Sequence, residues 1–139
     1  MRVRRDAKVE FISRVPLFER CSKHELTAIA SLADQVDVPE GRVLARQGEF
    51  GQEFFVLTDG TVEVRRGQRR LATLGAGDFF GEIALVSNVP RTATVKTLSP
   101  VRALVVTSRD FWTLLDKSPR TQRKILEAVG DRLALLAPT

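Results

Sequence analysis

Phe54-Phe55-Val56-Leu57-Thr58-Asp59-Gly60-Thr61-Val62-Glu63-Val64 is the stretch whose reading decides the fold class. Two runs of β-forming residues flank Asp59-Gly60, which signals a hairpin because a type I′ turn needs positive φ at both central positions. Moving outward, the same rhythm continues in both directions. Glycine breaks short β-rich runs at Gly41, Gly48, Gly51, Gly60, Gly67, Gly75, Gly77 and Gly81, and Val95, Val101, Ala103 and Val105 supply the last strands before Thr107. Gly67-Gln68 suits a second two-residue hairpin. Many short strands at this spacing predict an antiparallel β-roll of jelly-roll type rather than a parallel sheet.

The periodicity changes on either side of that region. Val9, Ile12, Leu17 and Phe18 form an apolar set interrupted by Pro16. Ser22-Lys23-His24-Glu25 then reads as a capping box ahead of Leu26, Ile29, Ala30 and Ala33. Pro39-Glu40-Gly41 marks the turn into the strands. After them, Ser108 caps a helix carrying Phe111, Trp112, Leu114 and Leu115, and Ser118-Pro119 opens another with the stripe Ile125, Leu126, Val129, Leu133 and Leu136. The predicted fold class is therefore mainly β with flanking helices. One domain spans 1–139, with N-terminal helices over 1–36, the roll over 37–107 and C-terminal helices over 108–137.

Composition narrows the function. With 139 residues, 43% hydrophobic and 28% charged, the chain suits one packed domain and is neither disordered nor membrane-embedded by composition. No stretch approaches the roughly 18 apolar residues that cross a bilayer, and Met1 to Asp6 lacks the apolar core of a signal peptide. A lone Cys21 makes no internal disulfide, so the expected location is cytoplasmic, without membrane contact. The formal charge of +5 favours anionic partners. Its excess sits in Arg2, Arg4 and Arg5 and in Arg65, Arg66, Arg69 and Arg70, which read as solvated chain ends. No basic run is interleaved with aromatics, so nucleic acid is not expected as a partner. One histidine, His24, and one cysteine are too few for a zinc site. With no catalytic triad, Walker loop or dinucleotide fingerprint, neither a metal, a cofactor nor an enzymatic activity is expected.

The chemistry concentrates in Phe80-Gly81-Glu82-Ile83-Ala84-Leu85, followed after four residues by Pro90-Arg91-Thr92-Ala93-Thr94-Val95. Gly81 lets a backbone approach a ligand closely, and a helical turn at Ala84-Leu85-Val86 would aim free N–H groups at an anion. Arg91 brings a planar cationic fork suited to two phosphate oxygens, and Glu82 an acceptor-only carboxylate suited to a ribose hydroxyl. Glu82 and Arg91 also permit a plain structural ion pair, and Phe79-Phe80 reads as core.

At these residues the chain resembles the cyclic nucleotide-binding domain family, which includes regulatory subunits of cAMP-dependent kinase, cyclic nucleotide-gated channels and catabolite-activator-type regulators. The match is to the family's phosphate-binding cassette, here residues 80–95, and the glycine-bearing pieces Gly41 to Gly51 and Phe55 to Val64 agree with its earlier strands. The resemblance implies that Arg91 pairs with the cyclic phosphate and that Glu82 accepts from the ribose 2′-hydroxyl. Backbone groups of Gly81, Ala84 and Thr92 would complete the cradle, and Ile83 would lie under the sugar or base. Thr92 is either an ordinary strand threonine or a hydroxyl that meets a guanine. A lid residue over the base falls at Arg132 or Leu133. The implied function is a cytoplasmic signalling sensor for cAMP or, less favoured, cGMP, which relays occupancy through its C-terminal helix to an output domain or a second copy in a homodimer. The rival reading is the sensor part of a catabolite-activator-type transcription regulator, whose helix-turn-helix would follow the long helix, beyond Thr139.

Overall fold

The computed structural model describes the backbone of residues 4–136 and the side chains of residue 4 and residues 6–131. Helix α1 (Arg5–Ser13), a 3-10 turn (Pro16–Phe18) and α2 (Lys23–Ala30) precede eight strands. These are β1 (Asp34–Val38), β2 (Val43–Ala45), β3 (Glu53–Asp59), β4 (Val62–Arg66), β5 (Arg69–Leu74), β6 (Phe79–Phe80), β7 (Thr94–Thr97) and β8 (Val101–Thr107). A 3-10 turn (Glu82–Leu85) interrupts them between β6 and β7, and α3 (Ser108–Asp116) and α4 (Pro119–Leu136) close the chain. All strand pairs are antiparallel, in two sheets ordered β1-β8-β3-β6 and β2-β7-β4-β5. The expected β-roll with flanking helices is the architecture found.

The uninterrupted apolar run in β3 has a simple cause, since both of its faces are covered. Phe54 and Val56 face a core shared with Ile12, Phe18, Ile29 and Phe111 of the helical segments, whereas Phe55 and Leu57 join Ala103 of β8 in a core shared with Val62 and Val95 of the second sheet. Each such side chain contributes on the order of 1.5–3 kcal/mol through burial. The expected capping box is present. Ser22 Oγ accepts from the Glu25 amide at 3.2 Å and Glu25 Oε1 accepts from the Ser22 amide at 2.8 Å.

Several local expectations are corrected. The roll begins at Asp34, earlier than the residue 37 start read from the sequence. Only two of the five residues of β1 are apolar, so the strand is specified by pairing with β8 at the sheet edge rather than by its own pattern. Asp59-Gly60 is not a hairpin turn. Asp59 keeps a negative φ while Gly60 has φ 88°, and the chain crosses here from one sheet to the other. A Cβ on Gly60 would lie 2.2 Å from the Pro100 carbonyl oxygen, so the crossing needs glycine for space as well as for φ. Gly67-Gln68 does close a hairpin, joining β4 to β5 at Arg66 and Arg69. Its arginines are not all free ends, because Arg65 and Arg70 both pair with the buried carboxylate of Glu63. The cap of α3 is Thr107, whose side chain accepts from the Asp110 amide, one residue before the expected Ser108.

One polar cluster ties the N-terminal helices to α4. Buried Glu25 receives Lys124 Nζ at 2.6 Å and Thr121 Oγ1 at 3.0 Å, and Arg20 donates to Asp131 and Glu127 at 2.9 Å each. Cys21 packs half-buried beside it, and burial, aided by the charge of Glu25, pushes its thiol up to about 11.

Candidate functional site

The site is built where β6 ends. Phe80 stacks on Phe55 with ring centroids 4.8 Å apart, which fixes the backbone entering Gly81. Gly81 adopts φ 84° and ψ 12°, a left-handed conformation that side-chain-bearing residues rarely hold, and so reverses the chain into the Glu82–Leu85 turn. That turn starts two residues before the one expected at Ala84-Leu85-Val86. The Ala84 amide is consumed by the Gly81 carbonyl at 3.0 Å, and the amides that precede the turn's own bonding are those of Glu82 and Ile83. Leu85 is fully buried in the helical core and pins the turn, leaving Ile83 50% exposed.

The chain then returns along the β2–β3 connection. The Arg91 amide donates to the Glu49 carbonyl at 2.8 Å, the Gly48 amide donates to the Arg91 carbonyl at 2.9 Å, and Pro90 bridges Phe50. This clasp holds the Arg91 backbone, and the side chain turns inward until only 9% of it is exposed. Nη2 donates to the Glu53 carbonyl at 2.7 Å with the Glu53 carboxylate 3.9 Å away. Nε is buried and has no hydrogen-bond partner among the described residues. An unpaired buried donor is uncommon and calls for a reason.

Two glycines border that guanidinium. A Cβ on Gly51 would fall 2.2 Å from Nε, and one on Gly81 would fall 2.5 Å from Nη1. Gly51 also lines two recesses: one of about 350 Å³ with Arg46, Phe50, Glu53 and Arg91, and one of about 150 Å³ with Ala84, Ser108 and Trp112. Glu82, Ile83 and Thr92 lie outside both.

Of the residues singled out from sequence, the structure joins Gly81 to Arg91 directly. The ion pair between Glu82 and Arg91 is not formed. The Glu82 side chain makes no hydrogen bond or ion pair with any described residue, and the carboxylate beside Arg91 belongs to Glu53. Thr92 is exposed, with its carbonyl accepting from Arg66 Nε at 3.2 Å. Ala84 is half-buried and lines the smaller recess together with Ser108 and Trp112 of α3. The side chains of Arg132 and Leu133, the lid candidates, lie outside the described residues. Gly51 and Glu53 were missed as site residues, and the glycine rhythm through Gly48 and Gly51 was the one signal pointing to them.

The cyclic nucleotide-binding domain family matches residues 35–118, which covers the roll, the Gly81–Arg91 site and α3. The chain belongs to the cyclic nucleotide-binding domain family. Among relatives of this family, the chain is similar to a cAMP-dependent protein kinase regulatory subunit of Mycosarcoma maydis, 36% identical over 138 residues. It is also similar to a cyclic nucleotide-gated potassium channel of Rhizobium etli, 35% identical over 123 residues. These alignments cover 92% and 88% of this chain but only 26% and 34% of those two proteins. Its fold is similar to the N-terminal domain of a transcriptional regulator from Streptomyces coelicolor A3(2), with a TM-score of 0.82 and 27% identity, covering 91% of this chain and 94% of that one.

Proposed function

We propose that this single domain is a cytoplasmic, non-catalytic sensor that binds a cyclic nucleotide monophosphate, cAMP in preference to cGMP, and relays occupancy through α4. The observation that carries the reading is the Arg91 guanidinium, nearly buried, with an orphan Nε, in a cassette whose Glu82 side chain has no partner among the described residues. A guanidinium with one unused N–H and a carboxylate without a partner, both within one short cassette, fit a ligand that brings an anion and a hydroxyl together. Arg91 meets the exocyclic phosphate oxygens, Glu82 accepts from the ribose 2′-hydroxyl, the Gly81 bend with the amides of the following turn and of Thr92 faces the phosphate, and Ile83 lies by the sugar or base. The similarity to a cAMP-dependent kinase subunit supports cAMP.

The relay reading is supported by the packing. The cassette turn lies against α3, α3 packs on α4, and α4 is tied back to α2 through Glu25. Such a ligand acts only through different affinities for two arrangements of these helices. An output domain, or a second copy of the chain, would read the arrangement. The likeness to a regulator's N-terminal domain favours transcription control as the second reading of that output. Among the described residues no helix is long and apolar enough to cross a membrane.

Calorimetric titration with cAMP, cGMP and linear AMP tests the proposal. We expect saturable binding of cAMP at micromolar concentration or tighter, about −8 kcal/mol, with AMP far weaker. Equal affinity for cAMP and AMP would sink it.

A further inference from the structure

We propose that Gly51 is a positioning residue for anion binding: its missing side chain is the slot in which the Arg91 guanidinium is held. The inference rests on the reading of Arg91 as the phosphate partner and adds a residue from a different segment, the β2–β3 connection. The geometry is specific to this glycine. A Cβ at Gly51 would stand 2.2 Å from Nε, 2.5 Å from Nη2 and 2.6 Å from Cζ, overlapping one edge of a guanidinium that is nearly buried and bonded to the Glu53 carbonyl. Gly51 does not have a positive φ, so no left-handed backbone demands glycine there, and the three atoms nearest to that Cβ all belong to Arg91.

The consequence concerns orientation. Nη2 is held by the Glu53 carbonyl, while Gly81 lies near Nη1 and Gly51 near Nε, so the guanidinium is confined to this pose before any anion arrives. A guanidinium fixed in plane presents its remaining N–H groups without first giving up rotamer freedom, which is how preorganisation raises affinity. A methyl group at position 51 evicts the fork from this pose, breaks the bond to the Glu53 carbonyl and leaves the charge in place but misdirected.

The test is a double-mutant cycle on Gly51→Ala and Arg91→Ala, read by thermal unfolding and by titration with cAMP. With Arg91 present, Gly51→Ala is expected to lower the melting temperature and weaken cAMP binding at least tenfold. In the Arg91→Ala background the slot is empty, so Gly51→Ala is expected to leave the melting temperature unchanged or raise it, as glycine-to-alanine changes do where the backbone permits. If Gly51→Ala alone fails to fold, refolding of the pair is the expected rescue. The proposal is overturned by an equal loss of stability in both backgrounds, by a pair that also fails to fold, or by a Gly51→Ala protein that binds cAMP within twofold of the parent. A parent protein that binds neither cAMP nor cGMP would defeat the nucleotide reading instead, while the unfolding cycle, which needs no ligand, would still decide whether Gly51 acts on Arg91.

Discussion

At the scale of single residues, Arg91 carries the sharpest expectation. Replacing it with alanine leaves the ligand phosphate without its charged partner and should cost about 2–5 kcal/mol, or roughly 30-fold to several thousand-fold in affinity. The fold should survive, because the side chain satisfies only one backbone carbonyl and leaves its own Nε unpaired. Arg91→Lys should recover part of the loss, since a point charge cannot fork. Titration with parallel thermal unfolding checks this, and a folded Arg91→Ala protein binding within threefold of the parent would exclude the site. Glu82 is tested differently. If it accepts from the 2′-hydroxyl, a 2′-deoxy nucleotide should lose about 1.5–3 kcal/mol with the parent and little more with Glu82→Ala, and additive losses would assign Glu82 elsewhere. As candidates, both residues were legible in the sequence because their chemistry lies in their own side chains and spacing. Gly51 and Glu53 were not, since one acts by lacking a side chain and the other through its backbone carbonyl.

At the scale of elements, Glu25 joins a cap to a tertiary contact. Desolvation pulls its carboxyl upward most strongly as a single influence, but hydrogen bonds from Lys124, from the Ser22 amide and from Thr121 together outweigh it and hold the group at about 2, below its ordinary 4.5. A depressed carboxyl stabilises the fold while ionised, so this contribution is complete above about 4.5 and is lost as pH falls toward about 2. Urea unfolding between those values should show stability falling with pH, and a Glu25→Gln protein should show a shallower fall; parallel curves would remove Glu25 from the acid response. The capping box was readable because Ser22 and Glu25 lie three residues apart. The turn at Asp59-Gly60 was misread for the opposite reason. A dipeptide encodes the reversal of direction, whereas the sheet that the next strand joins depends on β7, more than thirty residues downstream of Gly60.

At the scale of the whole molecule, the proposed relay makes α4 the element to test. Hydrogen exchange with and without saturating cAMP should differ at the amides of Lys124, Ile125 and Ala128, and unchanged exchange throughout α4 would place the relay elsewhere. The helices and strands were legible from periodicity, while the sheet order was not, because the pairing is nested: β1 takes β8 and β2 takes β7. That nesting governs how the chain is made as well as how it rests. During synthesis Val36 must wait for Ala103 and Val43 for Lys96, so no sheet containing the first strands can close until nearly the entire roll has left the ribosome. Such high contact order puts refolding in the millisecond-to-second range, roughly, rather than microseconds. Any product released before Thr107 would carry unpaired β1 and β3 edges, a surface prone to aggregate and readily cleared, so a cell would hold the intact domain or none.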